Sequence, residues 1–149
     1  MKNLIMCIGN RDGGDDAIGP YIADKLKEKE IDVLDCGVIP ENYTSVVKKH
    51  NPKNLIIIDA VDMGLSPGEI RRVPKEKIGV MHISTHGIPI PVLINYLEKY
   101  IKNIIFIGIQ PKSMSGRLND IVKKNANFLL ELIINNQYDK IEILDWKHK

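Results

Sequence analysis

The 149-residue chain contains few cysteines, few aromatic side chains and almost no net charge. Its two cysteines, Cys7 and Cys36, are too few for a disulfide framework or a cysteine-based metal site. Both stand beside apolar stretches, so we expect small buried thiols in a reducing compartment, with the cytoplasm as the default location. The 21 basic and 19 acidic residues leave a formal net charge of +2, which argues against nucleic acid or an anionic membrane as the main partner.

Long apolar runs are also absent. No run approaches the length of a membrane span, and the residues after Met1 lead directly into a strand pattern, so we expect no signal peptide and no membrane partner. A content of 44% hydrophobic and 27% charged residues is normal for a globular protein. Since neither a repeat nor a linker is visible, the sequence predicts one domain over residues 1–149. Residues from about 135 to 149 read as a polar C-terminal tail, in which 141–144 is a further strand candidate.

Short apolar runs alternate with amphipathic helical patterns along the chain. Runs that are apolar at every position are typical of strands buried on both faces. Strands that alternate with helices indicate a largely parallel sheet with helices on both faces. The predicted fold is therefore a three-layer α/β domain with a mostly parallel, twisted sheet of about five strands. The predicted strands are 4–8, 31–36, 54–58, 69–73 and 104–109, and the predicted helices begin near residues 18, 40, 91 and 118.

The stretch 54–62 is the centre of this prediction. Four apolar residues, 55–58, run straight into Asp59, so the strand is expected to end there, with the carboxylate in contact with water at the edge of the sheet. A carboxylate in that place is costly unless it is solvated, paired or bound to a cation. Because ligands bind at the carboxyl ends of strands in open α/β sheets, Asp59 is the first candidate site residue. The alternative is an acid that caps the following loop.

Other polar side chains follow the predicted strands. Two carboxylates and an imidazole from these loops would suit zinc, nickel or a related divalent ion and leave positions open. Taken alone, the histidine is better explained as a loop residue bonded to backbone than as a ligand, and Asp15 or Asp16 could simply cap the first helix. The candidates are Asn10 and Asp16 after the first strand, Asp59 and Asp62 after the central one, His86 at a helix start, and Gln110 after a later strand.

Three other types of site fit the sequence less well than a divalent metal site does. A dinucleotide site is disfavoured because the first loop has no Gly-x-Gly-x-x-Gly and carries two acids at the helix start. A hydroxyl nucleophile at Ser84 or Thr85 lacks the Gly-x-Ser-x-Gly turn. A receiver-type phosphoacceptor domain has a similar order of residues, but its acid pair would lie directly at the first strand end, and a helix would replace the loop at 64–68. The residues that imitate that order are Asp15, Asp16, Asp59, Ser84 and Lys112.

Five motifs together resemble the hydrogenase maturation endopeptidases, and more narrowly the branch that processes hydrogenase-3-type large subunits. They occur in the family's order and spacing, and the resemblance covers the chain from about residue 2 to about residue 134. The motifs are CIGN at 7–10, GDDAIGP at 14–20, IDAVDMGLSPGEI at 58–70, STH at 84–86 and FIGIQP at 106–111.

The resemblance implies a fold, an activity and a set of site residues. It implies a twisted sheet between helices, and an endopeptidase that removes a C-terminal extension from the nickel-loaded precursor of a nickel–iron hydrogenase large subunit. The family's metal-binding, catalytic side chains fall on Asp16, Asp59 and His86, the first being Glu in some relatives. The nickel comes with the substrate, and zinc or cadmium is expected to occupy the site in vitro. The chain departs from the family at 11–13, which is more polar than the usual apolar pair.

Three further residues concern the substrate cleft. Gly9, Asn10 and Gly37 are expected to shape it, with plain turn geometry as an equally good explanation. A non-catalytic maturation chaperone on the same fold is a further alternative to the endopeptidase.

Overall fold

Strands and helices alternate along the chain in the computed structural model, which describes residues 2–78, 82–83 and 87–144. None of the helices in these ranges has the length and apolar character that a membrane crossing requires. The strands are β1 (Asn3–Cys7), β2 (Val33–Asp35), β3 (Asn54–Asp62), β4 (Ile70–Arg72), β5 (His82–Ile83) and β6 (Asn103–Ile109), and the helices are α1 (Ile18–Glu28), α2 (Thr44–His50), α3 (Lys75–Ile78), α4 (Ile90–Leu97) and α5 (Asp120–Ile134).

The sheet has the strand order β2-β1-β3-β6-β4, and β3 is its central strand. The pairings among β2, β1, β3 and β6 are parallel, whereas β4 runs antiparallel to β6 at one edge. The short β5 pairs antiparallel with the end of β3, outside this order. The prediction of a mostly parallel sheet of about five strands is therefore confirmed.

Alternate residues of β3 pack on opposite faces of the sheet. Ile57 belongs to a core cluster that includes Val47 of α2 and Leu93 of α4. Ile58, its neighbour, belongs to a second cluster with residues of α1 and α5. The layers are thus α2 and α4, the sheet, and α1 with α5. Each such side chain removed completely from water contributes roughly 1.5–3 kcal/mol to folding.

The end of β3 differs from the prediction. The strand continues through Asp62, because partners are available at and beyond the acid: β6 pairs with Asp59 and Ala60, and β5 pairs with Val61 and Asp62. Asp59 is consequently inside the strand and 0% exposed. The prediction that it lies at a strand end in contact with water was wrong.

The start of the first helix differs as well. A single turn of 3-10 helix, Gly14–Ala17, precedes α1, and the residue that caps α1 is Ala17, without any side-chain hydrogen bond. Neither Asp15 nor Asp16 is the N-cap. Their carboxylates bind elsewhere, as described below.

The segment after α5 packs against the body of the molecule. Ile141 and Leu144 are buried, but the only pairing of 141–144 that the described residues show is a bridge between Ile143 and Arg72. This segment is therefore not a full strand, and two residues of the predicted tail, Ile141 and Leu144, belong to the core. Residues 145–149 are outside the described residues.

Both cysteines are free and buried, as the sequence predicted. Cys7 ends β1 and Cys36 follows β2. Burial is the main cause of the raised pKa of each thiol, which reaches about 12 for Cys36. Both therefore remain protonated near neutral pH and behave as small core side chains.

Helix α1 crosses the end of β1 at a glycine. A Cβ added to Gly19 would overlap the carbonyl oxygen of Ile8. In an open helix Ala is preferred over Gly by about 1 kcal/mol, but here we expect Gly19→Ala to lower the free energy of unfolding by about 1–3 kcal/mol, because backbone atoms must move apart. Urea unfolding measures the change, with the exposed Lys27→Ala in the same helix as control. A Gly19→Ala protein as stable as the wild type would contradict the close crossing.

Candidate active site

The central strand places a carboxylate in the interior. Asp59 is completely buried, and no well-aligned hydrogen-bond donor from the described residues reaches either of its oxygens. The pKa of Asp59 therefore lies well above its ordinary value, first because of burial and second because of the negative charge of Asp16, while the backbone N–H of Ala60 acts in the opposite direction. A buried carboxylate without a well-aligned donor lowers the stability of the folded protein.

Asp16 is the second carboxylate of the site. It is 1% exposed and is held in the 3-10 turn before α1, where its Oδ2 accepts a hydrogen bond of 2.9 Å from the backbone N–H of Asn10. The turn lies directly on the end of β1, since a Cβ on Gly9, whose φ is +157°, would overlap the carbonyl oxygen of Asp16. Two buried carboxylates brought this close repel each other unless a cation or a proton is shared between them. Their oxygens are suitable donors for a divalent cation, so the site fits the predicted metal.

The neighbouring acid has a different environment. Asp15 is also 1% exposed, but its Oδ2 accepts hydrogen bonds from the backbone N–H groups of Lys112 at 2.6 Å and Ser113 at 3.0 Å, and its Oδ1 accepts one from Asn119 at 2.6 Å. Three backbone donors compensate this carboxylate fully. Asp15 therefore ties the turn to the segment after β6 and is no metal ligand. The local sequence pattern did not separate the two adjacent acids, and only the family resemblance selected Asp16.

A cleft lies beside the turn that holds Asp16, at the carboxyl ends of β1 and β2. Gly9, Asn10 and Gly37, which the sequence singled out, all line it, and the backbone N–H of Gly9 donates to the carbonyl of Gly37 at 2.9 Å. We call this space of about 410 Å³ the first cleft. Its other lining residues are Arg11, Asp35, Cys36, Val38 and Tyr43.

The polar loop at 11–13, in which the chain departs from the family that it resembles, forms ion pairs at the rim of the first cleft. Arg11 contacts Asp24 of α1 at 2.9 Å and Asp35 of β2 at 2.6 Å, and these hydrogen bonds raise the pKa of the guanidinium. The Arg11 side chain is 55% exposed, so the pairs add little stability. Their effect is to fix the loop between α1 and β2.

Gln110 was a candidate site residue whose role is different. Its Oε1 accepts hydrogen bonds from the backbone N–H groups of Met63 at 2.6 Å and Leu65 at 3.2 Å, and its Nε2 donates to Asp62 at 3.1 Å. Gln110 thus fixes the chain after β3 to the end of β6. Asp62 is exposed at the end of β3 and does not join the buried carboxylates.

The third predicted ligand, His86, lies outside the described residues, as do Ser84 and Thr85. The structure brings Asp16 and Asp59 together, and within the described ranges no group of three His, Cys, Asp or Glu side chains is arranged to hold a metal ion. His86 therefore stays a prediction from the sequence.

The receiver-type alternative does not agree with this geometry. The acids that would bind magnesium include Asp15, whose oxygens are already used by backbone donors.

Comparison with known proteins agrees with the fold and with the family that the motifs resemble. The family model described as "Hydrogenase maturation protease" matches residues 18–136. The chain is 40% identical over 115 residues to the hydrogenase 3 maturation protease of Escherichia coli K12, and the aligned region covers 74% of each chain. The solution structure of the endopeptidase HycI from Escherichia coli has a TM-score of 0.90 at 31% identity and covers 100% of both chains. A nickel–iron hydrogenase maturation protease from Thermococcus kodakarensis has a TM-score of 0.80 at 31% identity, covering 91% of this chain and 92% of that one. The chain therefore belongs to the hydrogenase maturation protease family, and it is an endopeptidase.

Proposed function

We propose that this endopeptidase removes the C-terminal extension from the nickel-loaded precursor of a nickel–iron hydrogenase large subunit. The observation that carries the proposal is the buried carboxylate of Asp59, which has no well-aligned donor among the described residues and has the charge of Asp16 beside it. Such a pair is unfavourable in the free enzyme and becomes favourable when a divalent cation arrives. The family to which the chain belongs supplies the reaction.

Recognition of the substrate would rest on the metal that it carries. Nickel held by thiolates of the precursor would complete its coordination with Asp16, Asp59 and, as predicted from the sequence, His86. Two carboxylates and one imidazole make a site of modest affinity for a free ion. We therefore expect the isolated enzyme to hold little metal, and to take up zinc or cadmium when these are supplied in vitro.

The hydrolysis itself needs a polarised carbonyl or an activated water. A bound divalent ion supplies either of these as a Lewis acid. Asp16 and Asp59 would hold the ion at the carboxyl end of the sheet, and Gly9, Asn10 and Gly37 would shape the first cleft for the precursor chain beside it. The cytoplasm is the compartment we propose, in keeping with two free cysteines.

Cleavage should depend on nickel in the substrate. We expect the wild-type enzyme to cut nickel-loaded precursor at its C-terminal extension and to leave nickel-free precursor intact, because the metal is the recognition element. His86→Ala should abolish cutting and binding of the loaded precursor. A gel assay on both forms of the precursor measures the cleavage.

The matched control is His50→Ala. His50 ends α2 and contacts Asp32 at 3.0 Å, so its loss should leave cleavage unchanged. Equal cleavage of loaded and nickel-free precursor by the wild type would refute recognition through nickel. Full activity of His86→Ala would remove His86 from the site, and binding without any cleavage would indicate a chaperone.

A further inference from the structure

A second groove lies at the carboxyl ends of β3 and β6. Its volume is about 210 Å³, roughly half that of the first cleft. Ala60, the residue after Asp59, lines it on the face of the sheet that α1 and α5 cover. Because the strand order is β2-β1-β3-β6, the first cleft and this groove lie on opposite sides of Asp59 along the edge of the sheet. The second groove is lined by Ala60, Asp62, Gln110, Pro111, Lys112, Ser113 and Met114.

One wall of the second groove is fastened to the turn that holds Asp16. The Asp15 carboxylate accepts the backbone N–H groups of Lys112 and Ser113, and the N–H of Asp15 donates to the carbonyl of Ser113 at 2.8 Å. A Cβ on Gly14 would approach the backbone of Ser115 to 2.6 Å. The wall is thus held at a fixed distance from the buried carboxylates.

The other wall is fixed by the Gln110 side chain. It bonds to Met63, Leu65 and Asp62, all at the end of β3 or directly after it. Both walls are therefore formed before a substrate arrives, which lowers the entropy cost of binding an extended chain.

We propose that the second groove binds the C-terminal extension of the precursor, directly beyond the scissile bond. The inference rests on the proposed function, since an endopeptidase must hold its substrate on both sides of the bond that it cuts. The larger first cleft suits the bulkier, metal-bearing segment of the mature subunit, and the narrower second groove suits a single extended chain. Asp15 is the positioning residue that keeps the groove aligned with Asp16 and Asp59.

Lys112 provides the contact that can be tested. Its backbone is fixed by Asp15, but its side chain is exposed and forms no hydrogen bond or ion pair with any part of the chain that the structure describes. The ammonium group is therefore available for carbonyl or carboxylate oxygens of the extension. A bulky apolar group at this position would occupy the groove without changing the hydrogen bonds of its backbone.

The experiment compares Lys112→Trp with Lys102→Trp on nickel-loaded precursor. Lys102 is an exposed lysine directly before β6, at the opposite edge of the sheet. We expect Lys112→Trp to raise KM by about tenfold with little change in kcat, because binding is lost on one side of the reacting bond only. Lys102→Trp should behave as the wild type.

A second arm tests which part of the precursor is bound. A synthetic peptide with the sequence of the released extension should inhibit the wild type and Lys102→Trp but not Lys112→Trp, whereas mature large subunit should inhibit all three equally. Loss of inhibition by the mature subunit alone would overturn the assignment to the extension. If the wild type cuts loaded precursor and Lys112→Trp has an unchanged KM, the groove is refuted while the proposed function stands; no cleavage by the wild type would refute the function itself.

Discussion

Asp59→Asn should abolish activity and, at neutral pH, make the metal-free enzyme more stable than the wild type. Loss of a charged ligand should lower the rate of cleavage by at least about a hundredfold. The free energy of unfolding should rise by about 1–3 kcal/mol, because a buried charged group without a good hydrogen bond is replaced by a neutral one. An enzyme variant that gains stability while losing function is expected where a site is strained for its ligand.

The gain in stability should depend on pH. Burial, and then the charge of Asp16, raises the pKa of Asp59 in the folded protein above its unfolded value of about 3.9. The folded state therefore binds the proton more tightly, and the wild type loses stability as pH rises from about 4 toward the raised pKa. The Asn variant has no such group, so the difference between the two proteins should be small near pH 4 and widen toward pH 8.

Urea unfolding with a chelator present, at several pH values, measures this difference. Asp12→Asn is the control, since the Asp12 side chain is exposed, and it should not produce the gain in stability. Added zinc or cadmium should then stabilise the wild type and not Asp59→Asn. A variant less stable than the wild type at pH 8 would show that the Asp59 carboxylate is well compensated in the free enzyme.

The architecture could be predicted from the sequence because the strands are buried on both faces. Stretches such as 55–58 and 104–107 are apolar at every position, and helical patterns separate them, so the class of sheet follows from hydrophobicity alone. Asp16 and Asp59 could be selected as well, since both follow or interrupt such stretches.

The burial of particular side chains could not be predicted so well. Asp59 was expected in water because a charge usually ends a buried strand, and only the pairings of Ala60 with β6 and of Val61 and Asp62 with β5 show that β3 continues past it. The apolar side chains of Ile121 and Phe128 in α5 are 57% and 64% exposed, although other apolar residues of this helix are in the core. In a helix with many apolar residues, the spacing alone does not decide which of them lie inside.

The different roles of adjacent acids are a tertiary effect. Asp15 and Asp16 have the same chemistry and neighbouring positions, and their environments differ only because the segment after β6 brings three backbone donors to one of them. That segment is about a hundred residues away in sequence, and no local sequence pattern indicates the contact.

Asp15→Ala should therefore be the most destabilising change near the site. Its carboxylate accepts three backbone hydrogen bonds, and those N–H groups lose their acceptor when it is removed. A hydrogen bond to a charged group contributes roughly 1.5–3 kcal/mol and the terms do not add fully, so we expect a loss of about 3 kcal/mol. For a chain of this size that corresponds to a decrease in Tm of about 6–12 °C. Thermal unfolding measures it, with the exposed Asp12→Ala as control.

Amide hydrogen exchange followed by NMR separates a local clamp from a general loss of stability. In the wild type the N–H groups of Lys112, Ser113 and Asn119 should be protected, and in Asp15→Ala they should exchange faster even at temperatures where amides of β3 remain protected. Zinc should still bind the folded variant, because Asp15 is no ligand. If the β3 amides exchanged faster by the same factor, Asp15 would be a general stabiliser and not a local clamp. Loss of zinc binding with the fold intact would place Asp15 in the metal site instead of Asp16.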